Sequence, residues 1–321
     1  MDYYTFFSLL LVLPSLYFIF TRSKRVSLIG KRILITGCDS GFGYSLALWC
    51  SEQGMEVLAT CLEEGGEAWN NMKIKGIHMM KLDLTNLDSA ETESQINRIL
   101  KNQGLDFLVN NAACLVFGEA CWQTSQQVNR QMQVNMLGPL QMIKICFPSL
   151  RSARGRVINM ISNCTDCPLP TLSVYTSSKA GLKYLTHGMR PELSKYGIKM
   201  VLVNPGDAPS ITKLCSGQDG FYNDMREEMD EPRRRIYGEY FQLCKDKFVN
   251  LFPSPPLVRI QDQQFYNVMD RALSEENPAI FYENNPVVNK LVFGFIKLLP
   301  VHIGDRARLA IMKLPKYESV E

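Results

Sequence analysis

Histidine is scarce in this chain of 321 residues: there are three, at 78, 187 and 302, far apart in sequence. No HxxxH pair and no second CxxC accompany Cys164-x-x-Cys167, so the four ligands that a structural zinc site takes are not in view. Oxidation of that thiol pair stays open. Also lacking is an excess of charge. With 35 basic against 32 acidic residues the formal balance is +3, far from the basic footprint of a surface that tracks phosphates, which argues against nucleic acid as a partner. No internal repeat and no shift in composition marks off a second globular domain. The ten cysteines, at 38, 50, 61, 114, 121, 146, 164, 167, 215 and 244, are scattered through segments that read as core or loop. In a chain this long they read as reduced, buried small apolar groups, not as a disulfide framework.

What is present begins at the N-terminus. Residues 3–20, YYTFFSLLLVLPSLYFIF, carry no charge, and 18 residues at ~1.5 Å each reach roughly 27 Å, close to the hydrocarbon thickness of a bilayer. Tyrosines at 3, 4 and 17 suit the aromatic belts, and TRSKR directly after them places the following domain on the cytoplasmic side. A membrane anchor over residues 1–22 is the expectation. A cleaved signal peptide competes, without an A-x-A-like site, and a mitochondrial transit peptide is disfavoured because residues 1–20 hold no arginine. Near the other end, VVNKLVFGFIKLLPVHIG (287–304) places Lys290 and Lys297 two helical turns apart on one face. This suits a helix in a membrane interface, one lining an apolar entrance, or one packed on the domain.

Between these ends apolar runs alternate with helical patterns: RILIT (32–36), VLAT (57–60), HMMKLDL (78–84), LDFLVNNAA (105–113), RVINMIS (156–162) and KMVLVNPG (199–206), with helices expected over about 86–102, 123–150 and 174–196. Apolar strands separated by helices predict an α/β fold, a doubly wound parallel sheet of the Rossmann type covered on both faces. The expected domain covers 30–270. From about 207 the chain turns polar, with REEMDEPRRR at 226–235, and reads as a solvated insertion or as a lid. Residues 271–321 are expected to add a strand and an apolar helix.

TGCDSGFG (36–43) follows the first strand and opens the first helix. Gly37 can make a tight turn, Gly41 can let backbone approach a pyrophosphate, and Gly43 can admit close helix-to-strand contact, with Ser40 and Phe42 between them. A helix N-terminus there supplies N–H groups and positive dipole to the anion. No arginine or lysine stands at 38–42 or 60–64 to hold a 2′-phosphate, and Glu63 and Glu64 follow the second strand. That favours NAD, with NADP as the other candidate.

Tyr175 and Lys179 are four apart in a helical segment and so share a face. A tyrosine at its reference pKa of about 10 is a poor base at neutral pH, but an adjacent ammonium favours the phenolate. Ser162, thirteen residues earlier at a strand end, can return across the loop to the same place.

With these motifs in order the chain resembles the short-chain dehydrogenase/reductase family over roughly residues 30–215. The resemblance rests on TGCDSGFG, Asp83 of LDLT, NNAA (110–113), VNMLG with Asn135, Ser162, YTSSK, and NPG with Thr212 beyond. It implies a catalytic tetrad of Asn135, Ser162, Tyr175 and Lys179. It implies that Asp83 and Asn111 contact the adenosine half of the cofactor or hold the strands around it, and that Pro205, Gly206 and Thr212 line the nicotinamide end. The chain departs from the family pattern at Ala113, where glycine is usual, and at Ile161-Ser162, where a serine pair is usual. The N-terminal segment and long C-terminal part look like the branch with retinol, hydroxysteroid and 3-hydroxybutyrate dehydrogenases. FGEACWQ (117–123), IFYE (280–283) and LPKYES (314–319) are similar to an ecdysteroid-forming member of it. The resemblance thus implies oxidation or reduction at a secondary alcohol or ketone of a lipophilic sterol or steroid, at the endoplasmic reticulum membrane, and leaves a homo-oligomer open. A retinol dehydrogenase and a non-catalytic sterol-binding protein are the competing readings.

Overall fold

A computed structural model describes residues 24–101, 103–206 and 212–318. Seven strands form one parallel sheet: β1 Arg32–Ile35, β2 Glu56–Cys61, β3 His78–Lys81, β4 Phe107–Asn110, β5 Arg156–Met160, β6 Lys199–Asn204 and β7 Phe281–Glu283. Their order across the sheet is β3-β2-β1-β4-β5-β6-β7. The order reverses between β1 and β4, and in such sheets a crevice opens beyond the carboxyl ends of the strands at that point.

Why the strands read as continuous apolar runs is visible in their packing. Ile33 and Ile35 of β1 enter one core while Leu34 enters another on the opposite face. The first core is covered by α1 (Gly41–Glu52), α2 (Glu67–Ile74) and α9 (Gln263–Ser274). The second is covered by α3 (Ser89–Ile99), α5 (Gly138–Ala153) and the end of α6 (Ser173–Ser194). Each such Leu or Ile, fully buried, contributes roughly 1.5–3 kcal/mol relative to exposure. Helix starts carry their own signals: Asp88 accepts from the amides of Ala90 and Glu91 at 3.0 and 3.1 Å, and Thr124 with Gln127 forms a capping box.

Three features differ from the sequence reading. The helix expected over 123–150 is α4 (Ser125–Met132), then one π turn at Gln133–Leu137, then α5. Helix α2 was not expected; Gly65 and Gly66 at its entrance mask its pattern. The polar stretch read as solvated carries α7 (Gln218–Glu228) and α8 (Glu231–Leu251), kinked at Gly238 with φ +41°. Tyr222, Met225, Phe241, Cys244 and Phe248 from these helices build a third core with Leu115, Val116, Phe117 and Trp122. Their surface charges had hidden a buried stripe.

The C-terminal part holds β7, α10 (Val287–Leu298) and α11 (Val301–Met312). The anchor expected over residues 1–22 lies outside the described residues, as does the start of the stretch at 207–211. Among the described residues no helix is long and apolar enough to cross a membrane. The described chain begins beside the end of α9, where Val26 N donates to Ser274 O and Glu276 N to Lys24 O, both at 2.7 Å. Arg156 at the start of β5 donates to the carbonyls of Ala272, Leu273 and Glu275. A buried guanidinium thus satisfies the exposed end of α9.

Candidate active site

The glycine turn is shaped by backbone contact. Gly37 and Gly41 have φ of +70° and +57°, and a Cβ on Gly37 would lie 2.6 Å from Ala112 Cα. On Gly41 it would lie 2.7 Å from Thr212 Cβ, and on Gly43 it would strike Gly37 O at 2.2 Å and Asn111 Nδ2 at 2.5 Å. The Asn111 amide donates to the carbonyls of Thr36 and Gly37, each at 2.9 Å, so it clasps the turn to the end of β4. Ser40 precedes α1 without a side-chain cap and no acid stands in the first turn. The positive end of the helix is left for an anion.

Asp39 is the residue that sequence reasoning passed over. Its carboxylate accepts from Leu62 N at 2.9 Å and Glu63 N at 3.2 Å, placing a negative charge at the end of β2. Its place inside the glycine turn was the available signal. Glu63 lines the cleft beside it. Asp83 accepts from Thr85 N at 2.9 Å and Thr85 Oγ1 at 2.7 Å, capping a turn at the cleft wall.

The other expected residues gather farther along. Ser162 follows β5 and accepts from Cys164 N at 3.3 Å. Tyr175 and Lys179 project from the first turns of α6; both are buried, and both line with Ser162 a single cavity of about 1250 Å³. Lys179 Nζ donates to Met160 O at 3.1 Å, and its burial pulls its pKa down to about 8. Asn135 stands behind this wall in the π turn. Its side chain is committed to Cys114 N and O, at 2.9 and 2.8 Å, and to Ser178 Oγ at 2.9 Å. Ser178 Oγ in turn donates to Tyr175 O at 2.7 Å. The one-residue bulge of a π turn turns this asparagine inward, a frequent use of such bulges at functional sites.

The cavity runs from the glycine turn and Asp83 past Pro205, Gly206 and Thr212 into an apolar chamber. The chamber is made by segments far apart in sequence. Phe117 stacks on Phe248 and Phe252 with centroids 4.4 and 5.2 Å away. Gln218, at the start of α7, ties that wall down by accepting from Phe117 N at 2.9 Å and donating to Leu115 O at 3.2 Å. Cys164 lines the chamber; Cys167 is buried, and neither is in a disulfide. Ala113 lines the cleft as well.

These residues fit a nicotinamide dinucleotide: a helix end bare of acid, glycines with no room for a Cβ, a buried lysine and a cleft with space for two ligands. The comparisons agree. A family model described as short chain dehydrogenase matches residues 31–213. Short-chain dehydrogenase/reductase family 9C member 7 of Homo sapiens is 31% identical over 306 residues, covering 91% of this chain and 95% of that protein. Retinol dehydrogenase 16 of Mus musculus is 35% identical, over 66% of this chain and 67% of its own. Mitochondrial D-beta-hydroxybutyrate dehydrogenase of the same species is 33% identical, over 66% and 65%. A short-chain dehydrogenase structure from Streptomyces avermitilis superposes with a TM-score of 0.61 over 88% of this chain and 96% of that one, at 21% identity, and shows the fold. The chain belongs to the short-chain dehydrogenase/reductase family, as an oxidoreductase acting on a CH–OH group with NAD or NADP.

Proposed function

We propose that the protein interconverts a secondary alcohol and a ketone on a sterol or steroid, in ecdysteroid formation, with NAD preferred. The observation that supports this reading is that Ser162, Tyr175 and Lys179 all line one cavity together with the glycine turn and the apolar chamber. In the direction of oxidation, Tyr175 as phenolate takes the hydroxyl proton of the substrate, and Ser162 donates a hydrogen bond to its oxygen. A bound nicotinamide dinucleotide supplies the acceptor for the hydride that leaves the carbinol carbon. Lys179, as an ammonium, favours the phenolate. Asn135 holds the Cys114 strand end and the α6 backbone together, so Tyr175 keeps its place between them.

Support for NAD comes from Asp39 and Glu63 at the end of β2, where a 2′-phosphate would meet negative charge. Support for a polycyclic alcohol comes from the stacked rings of Phe117, Phe248 and Phe252 and from the short sequence likenesses to an ecdysteroid-forming enzyme. The apolar residues 3–20 and the TRSKR after them support an endoplasmic reticulum anchor with the domain on the cytoplasmic side. A retinoid alcohol is the rival substrate, favoured by the likeness to retinol dehydrogenase 16.

The test is lipid mass spectrometry on membranes carrying active protein or Tyr175→Phe, with purified assays on a 3-hydroxysterol and on retinol in parallel. A sterol alcohol and ketone pair that shifts only with active protein is expected, with turnover in the variant lower by roughly 100- to 10,000-fold. Turnover of retinol alone would overturn the sterol assignment, and failure to bind either nicotinamide cofactor would overturn the enzyme.

A further inference from the structure

Helix α10 is amphipathic in the sense opposite to that of a packed helix. Its two lysines turn toward the protein: Lys290 pairs with Glu283 of β7 at 3.0 Å and Lys297 with Asp166 at 3.3 Å. Asp166 lies in the loop between Ser162 and Tyr175. Ile296 is the helix's buried apolar anchor. Val288, Leu291, Phe295 and Leu298 point away from the domain and are 68%, 68%, 63% and 83% exposed. With Val287 and Val292 they occupy about 140° of the helix circumference, a stripe wide enough to bury in another phase.

This stripe continues into other exposed apolar groups. Ile280 and Phe281, at the outer edge strand of the sheet, are exposed, as are Val301, Ile303 and Leu309 of α11. An uncovered apolar edge strand is a surface that proteins otherwise blunt or cover. The stripe also has two fixed neighbours. At one end, Lys24 O accepts from Glu276 N just ahead of β7, and the 18 uncharged residues at 3–20 precede Lys24 in the sequence. At the other end, Ile311 and Leu251 are both exposed and both line the cavity. Lys247 holds this rim by donating to Met312 O at 2.7 Å and to Lys313 O. Apart from the paired Lys290 and Lys297, residues 287–318 contain four lysines and arginines, at 306, 308, 313 and 316, against two acids, a modest basic balance that suits anionic headgroups.

We infer that the β7 edge and the outward faces of α10 and α11 form one bilayer-docking surface, which sets the Leu251–Ile311 rim of the cavity against the lipid. A lipophilic substrate then passes from acyl chains to the apolar chamber without crossing water. The two paired lysines tie α10 to β7 and to the Asp166 loop, so the docked helix lies beside the site wall. The substrate part of this inference rests on the function proposed above; the docking surface does not.

The test uses full-length protein in phosphatidylcholine–phosphatidylserine vesicles containing a phospholipid with a diazirine in its acyl chain. After irradiation, peptide mass spectrometry should find lipid adducts within 280–298 of the wild type. The variant Leu291→Glu, Phe295→Glu, Leu298→Glu alters exposed side chains only and should lose these adducts. Its turnover of a vesicle-dissolved sterol should fall about tenfold through loss of local concentration, while turnover of a water-soluble secondary alcohol stays unchanged. Adducts confined to residues 3–20, or cross-links between the 287–298 segments of two copies in place of lipid adducts, would overturn the docking surface. Unchanged sterol turnover in the variant would overturn the delivery route. Absence of sterol turnover in the wild type, with adducts on 280–298 intact, refutes the substrate assignment and leaves the surface standing.

Discussion

The glycine-turn half of the cavity, the cofactor half under the proposed function, and the apolar half, its substrate half, are built by different means. Around the glycine turn the fit is close contact with glycine backbone: Gly43 faces Gly37 O, Gly41 faces Thr212 Cβ, and the Asn111 side chain clasps the carbonyls of Thr36 and Gly37. Gly37 and Asn111 follow the ends of β1 and β4, so the sheet itself sets the distance between them, while Thr212 lies beyond β6 at the start of a short 3-10 turn. Around the chamber the fit is side chain against side chain. Phe117 follows β4, Phe248 and Phe252 come from the end of α8 and beyond it, and Gln218 from the start of α7 pins the wall. The first half tolerates no change of volume. The second can be reshaped one residue at a time, which is how a single sheet framework can serve many alcohols.

Lys179 sits where the halves meet, and its replacement should have the largest effect. Lys179→Met is expected to lower turnover roughly 100- to 10,000-fold with every substrate, as read by steady-state assays. It should also remove a pH dependence. Buried Lys179 has its pKa pulled down from 10.5 to about 8. Between those values the unfolded chain binds more protons than the folded one, so stability of the unliganded protein rises with pH across that window. Below pH 8 the burden of keeping this buried ammonium charged amounts to about 3 kcal/mol. Denaturant unfolding at pH 7 and pH 10 should show wild type gaining on Lys179→Met by an amount of that order. Equal pH slopes would place the lysine in a wetter site than the structure shows.

Gly43→Ala comes next and probes the cofactor half. Overpacking costs about 1–3 kcal/mol; if it falls on the cofactor complex, binding weakens roughly 5- to 150-fold in a fluorescence titration, whichever alcohol is present. An effect confined to one alcohol would break the division between the halves.

Phe252→Ala probes the substrate half with a half-buried ring. Losing its stack on Phe117 removes about 1 kcal/mol of aromatic contact. KM for a polycyclic alcohol should rise several-fold, with cofactor affinity and turnover of a small alcohol unchanged. The smallest effect is expected from Asp39→Ser, which removes the acid at the end of β2. The ratio of kcat/KM for NAD over NADP should fall by a few-fold, on the order of 1 kcal/mol of screened charge. An unchanged ratio would assign the preference to Glu63.

Much of the framework was legible because its signals are local. Apolar runs between helical patterns marked the six main strands, and the turn at 36–43 marked the start of α1. Tyr175 and Lys179 could be paired in advance because four residues on a helix are one turn, and Ser162 could be expected near them only by a return across the loop. The π turn at Gln133–Leu137 was not legible, because its residues carry an ordinary helical pattern and only the bond from Asn135 to Cys114 and Ser178 rewards the bulge. The core under α7 and α8 was hidden by the charges of 226–235 on the opposite face. Arg156 reads as a charged strand end; its burial makes sense only with the carbonyls of α9, more than a hundred residues later.

By itself the sequence determined a parallel α/β sheet, a glycine turn between strand and helix, and a Tyr175–Lys179 pair on one helical face, since periodicity and spacing of a few residues dictate each of these. Tertiary structure alone decided which walls enclose the chamber, that Asp39 reaches the end of β2, and that α10 turns its lysines inward and its apolar stripe outward. Those outcomes depend on contacts between segments distant in the chain. Local propensity is silent about such contacts, because their free energy arises only when the sheet has brought the partners together.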